Sequence, residues 1–183
     1  SDVYKRQLKP KSGIMAATEV FTLSSWKLKK GRTFHYIESV DLIDSFYTIR
    51  DSMEKMLFGF YALELLDKST PMEEENKILF ELLEKFIRTM KTHERNLPLM
   101  VAYELKFASF IGYRPHLGGC VTCGVESSEA WEFDYTRGGL ICSTCSGRSR
   151  DPILAEEVQQ MNLLLKSKLE QVGELNISDK TLW

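Results

Sequence analysis

Cys120-Val-Thr-Cys123, eighteen further residues, then Cys142-Ser-Thr-Cys145: these two pairs hold all four cysteines of the 183-residue chain. Two residues between cysteines let one tight turn aim both sulfurs at a single point. Two such knuckles complete a tetrahedral four-sulfur set, each thiolate about 2.3 Å from a zinc ion. A C-x2-C…C-x2-C array with this gap is a structural-zinc pattern. Gly124 and Gly147 follow the two pairs, where a turn needs positive φ. With four thiolates and no open coordination position, the metal is expected to hold the chain together and perform no reaction. Two disulfides are the competing use of four cysteines, but they suit small secreted domains. A redox C-x-x-C normally opens a helix after a strand, whereas these pairs read as loops.

Hydrophobic residues make up 43% of the chain and charged residues 27%. That composition fits one good core with a small satellite domain. No run of about 18 apolar residues occurs, so no membrane span is expected. No basic start leads into an apolar core, so no signal peptide is expected either. Reduced cysteines then point to the cytoplasm. The net charge of −2 conceals an asymmetry. Up to Tyr36 there are eight basic residues against two acidic, a net +6; the remainder carries sixteen against twenty-four, a net −8. Such a split fits a basic surface for a polyanion beside an acidic body, with a solvated basic loop as the plain alternative.

Residues 1–8 show no pattern and are left out of the fold reasoning, and Lys9-Pro-Lys-Ser-Gly13 reads as a basic loop. From Met15 the texture is β: Thr18–Leu23 alternates, Ser24–Lys29 sets Trp26 and Leu28 against Lys27 and Lys29, and Thr33–Val40 follows a Lys30-Gly-Arg32 turn. Period-two alternation around a glycine turn predicts a hairpin. These strands read as the tail of a β-barrel whose first strands lie outside the chain. Asp41–Phe46 is expected as a short helix or turn. Ser52 to about Asp67 then predicts a helix with Met53, Met56, Leu57, Phe60, Leu63 and Leu66 on its buried face. Thr70, Pro71 and Glu73 form a capping box for a second helix, whose buried face runs from Ile78 and Leu79 through Leu82, Leu83, Phe86 and Ile87 to Met90. Leu97–Phe110 is apolar nearly all round, the mark of a central helix. Between the cysteine pairs, Ala130–Tyr135, the Arg137-Gly-Gly139 turn and Leu140-Ile141 predict a zinc-ribbon hairpin. Asp151 caps Pro152 at the start of a helix to about Val172; Ser178 can cap one more, cut at Trp183.

The expected class is α+β: a partial N-terminal OB-fold β-barrel (1–40), an α-helical bundle (41–112), an inserted four-cysteine zinc-ribbon hairpin (113–150) and more bundle (151–183). At this point a resemblance enters. Tyr103-Glu-Leu-Lys-Phe-Ala-Ser-Phe-Ile-Gly-Tyr-Arg-Pro-His-Leu-Gly-Gly-Cys-Val-Thr-Cys-Gly124, with Phe133, Gly138-Gly139 and Cys142-x-x-Cys145, resembles the RecO family of bacterial DNA repair and recombination mediators. Phe60–Leu66 and Ile78–Leu83 look like that family's first two bundle helices, and Lys9–Ser12 like the basic loop of its OB fold.

The resemblance implies a non-enzymatic mediator in the bacterial nucleoid. It would bind single- and double-stranded DNA, anneal strands, associate with RecR and the single-stranded-DNA-binding protein SSB, and help load the recombinase. An OB barrel lays a basic groove along phosphates and stacks bases on aromatics. The phosphate candidates are Lys9, Lys11, Lys27, Lys29, Lys30 and Arg32, joined around the ribbon by Arg114, Arg137, Arg148 and Arg150. Trp26, Phe34 and Tyr36 are candidate platforms, with barrel packing as their competing use. The metal ligands are Cys120, Cys123, Cys142 and Cys145, for one structural zinc. His35, His93 and His116 sit in no catalytic pattern; His116 is at most a spare ligand. An acidic partner tail would need an apolar pocket beside a Lys or Arg in the helical body. Two other readings compete. A zinc-ribbon adaptor would bind protein and no DNA. A nuclease or nucleotidyl transferase would need clustered acids or a phosphate-cradling loop, and neither pattern occurs.

Overall fold

The computed structural model describes residues 12–71, 75–147, 151–178 and 181. The chain divides into two compact units, Ser1–Gly59 and Phe60–Trp183.

The first unit holds helix α1 (Ser12–Ala17), strands β1 (Leu23–Lys30) and β2 (His35–Asp44), helix α2 (Tyr47–Arg50) and the start of α3 (Met53–Ser69). The expected glycine-turn hairpin is present: β1 and β2 pair antiparallel, from Lys30 opposite His35 to Leu23 opposite Asp44. Gly31 N–H donates to Phe34 O at 2.9 Å to close the turn. A Cβ on Gly31 would stand 2.7 Å from the backbone oxygen of Phe34 as well as 2.4 Å from the Tyr36 ring, which favours glycine there.

Two expectations fail in this unit. Residues 18–22 form no strand, because Thr18 turns back on α1, its hydroxyl donating to Met15 O at 2.9 Å. Phe21 then takes a left-handed φ of 60°. Its ring lies against Gly59, where a Cβ would be 2.5 Å away, and burying that ring offsets the backbone strain. Asp41–Phe46 is no helix either. β2 continues to Asp44 because its backbone still pairs with Leu23–Ser25; the chain turns only where Asp44 Oδ1 accepts the Phe46 N–H at 2.9 Å. Among the described residues the hairpin forms no closed barrel.

The second unit continues α3 and adds α4 (Lys77–Thr92), α5 (Asn96–Phe110), β3 (Ala130–Asp134), β4 (Gly139–Cys142), α6 (Ser143–Ser146), β5 (Ile153–Leu154), α7 (Ala155–Lys166) and a 3-10 helix (Leu169–Glu174). α5 is central, as its all-round apolarity predicts: it packs on α4, α7 and the 3-10 helix. Tyr103 is fully buried, its ring 4.6 Å from that of Phe86 and 5.8 Å from that of Phe107. α4 buries its expected stripe from Leu79 to Met90, Ile78 excepted. On α3 the expected stripe is only partly buried: Met53, Leu57 and Phe60 are exposed, while Gly59 and Ala62 are buried. Small residues win where a ring comes onto the helix backbone; Tyr103 O–H donates to Ala62 O at 3.3 Å.

Helix starts also moved. α4 opens at Asn76, whose Oδ1 accepts the Leu79 N–H at 3.1 Å. Thr70 closes α3 instead, donating to Leu66 O at 2.8 Å, and Glu73 lies outside the described residues. Asp151-Pro152 starts no helix, because Ile153–Leu154 first pairs with β3. Glu157 then reaches back to the Leu154 N–H at 2.6 Å to open α7, which stops at Lys166. Ser178 donates its N–H to Gln160 Oε1 at 2.8 Å. No helix among the described residues is long and apolar enough to cross a membrane.

Candidate metal centre and basic surfaces

The four cysteines come together as their spacing predicts. Their sulfurs all lie within 4.8 Å of one another, Cys123 Sγ and Cys142 Sγ at 3.7 Å. Four metal–sulfur bonds of about 2.3 Å give a tetrahedron with edges of about 3.8 Å, so the set can close on one metal ion. Both knuckles are built from backbone. Gly124 N–H donates to Cys120 O at 2.9 Å, and Cys120 N–H to Val125 O at 2.8 Å. Gly124 and Gly147 hold the expected positive φ, 78° and 83°. His116 does not join the four clustered sulfurs; its backbone N–H donates to Gly138 O and its carbonyl accepts the Leu140 N–H, joining the lead-in segment to the ribbon.

The electrostatics of the sulfurs fit a cation. Burial pushes the Cys120 thiol up, but N–H groups of Cys142, Cys123 and Thr122 and the Cys123 side chain pull harder, and it falls to about 5. Cys145 goes the other way: the Cys123 and Cys142 side chains and the charge at Cys120 push it up to about 12. Thiols this close resist full ionisation until a positive ion sits among them. Beneath them Leu117, Cys120, Trp131, Leu140, Cys142 and Val158 form one buried cluster, which ties the ribbon to α7.

The basic candidates divide into three groups. Lys27, Lys29, Lys30 and Arg32 are exposed on the β1–β2 hairpin. Lys27 pairs with Glu38 at 2.9 Å. Lys29 stands opposite Tyr36, and Lys30 opposite His35. Phe34 and Tyr36 are 71% and 59% exposed among the described residues, while Trp26 is half-buried. Arg114 and Arg137 are exposed at the ribbon. Lys9, Lys11, Arg148 and Arg150 lie outside the described residues.

One feature was not found by reading the sequence. A cleft of about 400 Å³ in the second unit is lined by the apolar Ile78, Leu82, Phe110 and Leu169 together with Lys85, Lys106, Lys166 and Lys168, Glu81 and Glu170. Lys106 donates to Leu165 O at 2.8 Å; burial, then the charge of Arg114, lowers its pKa. The signal on α4 was legible, since Ile78, Leu82 and Lys85 share one helical face. The other wall comes from residues over 20 positions away in the chain, which no local pattern joins to it.

Comparison with known proteins places the chain in a family. The family model described as Recombination protein O C terminal matches residues 50–182. The DNA repair protein RecO of Alkaliphilus metalliredigens is 32% identical over 96% of this chain and 73% of its own length. That of Acetivibrio thermocellus is 27% identical over 100% of this chain and 74% of its own. That of Listeria monocytogenes is 26% identical over 94% and 68%. With a family model matched from Arg50 through the cysteine cluster to the last helices, this chain belongs to the RecO family of DNA repair proteins.

Proposed function

We propose that the chain is a non-enzymatic, DNA-binding recombination mediator of the cytoplasm and nucleoid. It binds single strands and duplexes, anneals complementary strands, and acts with RecR and SSB to load recombinase. The observation that carries this reading is the β1–β2 hairpin. Lys29 stands opposite the exposed Tyr36, and Lys30, Arg32 and the exposed Phe34 belong to the same hairpin end, the mixture that tracks a phosphate backbone and stacks its bases. Lysine contacts to phosphate give binding that is largely indifferent to sequence and steep in salt.

Zinc is the metal this reading assigns to Cys120, Cys123, Cys142 and Cys145. When bound, it supplies charge neutralisation and a cross-link, and no reaction step. The chain's own residues do the rest: N–H groups of Thr122 and Cys142, each 3.4 Å from Cys120 Sγ, orient the sulfur, and Trp131 and Leu140 exclude water from the site's underside. The cleft between α4 and the 3-10 helix suits an acidic tail with apolar end residues, as a single-stranded-DNA-binding partner would present. Its apolar lining would take the apolar side chains and its lysines the carboxylates.

The test is annealing of two labelled complementary oligonucleotides. A mediator speeds duplex formation and leaves strand length unchanged. Shortened strands would mean an enzyme. No acceleration and no binding would favour an adaptor that meets only proteins.

A further inference from the structure

We propose that the tip of the ribbon hairpin is a second platform for single-stranded DNA, with Tyr135 and Tyr113 stacking on unpaired bases and Arg114 and Arg137 on phosphates. It rests on the DNA-binding reading above and deepens it. Tyr135 is 89% exposed and Tyr113 78% exposed. Neither ring belongs to a core. Tyr135 is also braced: the Phe133 ring meets it edge-on, centroids 5.3 Å apart. A ring held at a fixed angle with an open face has little to lose in order when a base stacks on it.

Arg137 is aimed as well. Its Nη1 donates to Thr122 Oγ1 and its Nε lies 3.5 Å from Asp134 Oδ2. Asp134 itself closes the turn, Oδ1 accepting the N–H groups of Thr136 and Arg137 at 2.8 and 3.0 Å. The His116–Gly139 bridge runs parallel and lays the lead-in segment carrying Tyr113 and Arg114 along the same edge as this turn. Arg114 is exposed and has no ion-pair partner among the described residues. Two aromatic faces and two guanidiniums at one edge match a strand whose bases are splayed. Duplex bases already stack on one another and offer no free face, so the platform selects single strands.

The test compares the 183-residue chain with its Tyr135→Ala, Tyr113→Ala and Tyr135→Phe variants, each with its bound metal measured. The probes are an oligo-dT strand and a duplex of equal length. We expect each alanine variant to lose about tenfold in single-strand affinity, to keep its duplex affinity, and to retain its metal. Tyr135→Phe keeps single-strand binding, since the ring is what stacks. Unchanged single-strand binding in both alanine variants would overturn the platform and leave the tip to a protein partner. Equal losses on strand and duplex would overturn it too, and so would a Tyr135→Phe loss matching that of alanine. Failure of the unaltered chain to bind either probe at low salt would instead sink the DNA-binding reading itself.

Discussion

The β1–β2 and β3–β4 hairpins are both short antiparallel pairs closed by a glycine-containing turn, yet they keep their apolar side chains in opposite places. In the second, Trp131 and Leu140 are 4% and 0% exposed. In the first, Leu28 and Ile37 face each other across the strands and are 53% and 51% exposed. An isolated two-stranded hairpin is marginal in water. The ribbon escapes that limit twice over, by packing on α7 and by gathering four sulfurs at its base. The β1–β2 pair relies on its ladder, its turn, the Lys27–Glu38 pair and α1, which packs against β2. The comparison separates two ways of building on one motif: the ribbon turns its strand side chains inward and keeps only its tip for a ligand, whereas β1–β2 leaves its strand side chains out.

The strongest way to break the comparison is to make the ribbon resemble its counterpart. Removing the metal with a chelator, or replacing Cys142 with Ser, should abolish tight metal binding. A structural zinc site is worth on the order of 10 kcal/mol, so the ribbon should open. Hydrogen exchange would show protection collapse at Trp131–Asp134 and Gly139–Cys142, with β1–β2 unchanged. Next in size is the core beneath the site. Leu140→Ala should cost about 2–5 kcal/mol in urea unfolding of the metal-loaded protein. Leu28→Ala, on the open hairpin, should stay within about 0.5 kcal/mol.

The open hairpin answers to a different probe. Reversing Lys29 and Lys30 to Glu should leave stability almost unmoved but weaken single-strand binding, and reduce the slope of log affinity against log salt by about one per lost phosphate contact. Smallest of all is Glu38→Gln, which releases Lys27 from an exposed ion pair. Thermal unfolding should shift by less than about 0.5 kcal/mol, and DNA affinity should rise slightly.

The legibility of the chain follows the same division. Cysteine spacing is a local signal with a geometric cause, so the four-cysteine cluster is legible in the sequence alone. α5 was legible because apolarity on every side leaves a helix nowhere to go but the centre. The failures came where a distant contact overruled a local pattern. Thr18–Leu23 alternates like a strand, but Phe21 gains more from burial against Gly59 than its backbone loses by leaving the extended region. Pro152 reads as a helix start, but Ile153 and Leu154 are claimed by the edge of β3. The stripe on α3 was read by hydrophobicity, while the structure selects Gly59 and Ala62 for their small size. The lysine-lined cleft joins α4, α5 and the segment after α7, and no stretch of sequence contains it.

The measurement to make first is fluorescence anisotropy of a labelled single strand, then of its duplex, across a salt series, with zinc determined on the same preparation. We expect about one zinc per chain, the stoichiometry of one four-sulfur site, and binding that weakens steeply as salt rises. A folded, zinc-loaded chain that binds neither probe at low salt would contradict the assignment of the exposed basic hairpin to DNA.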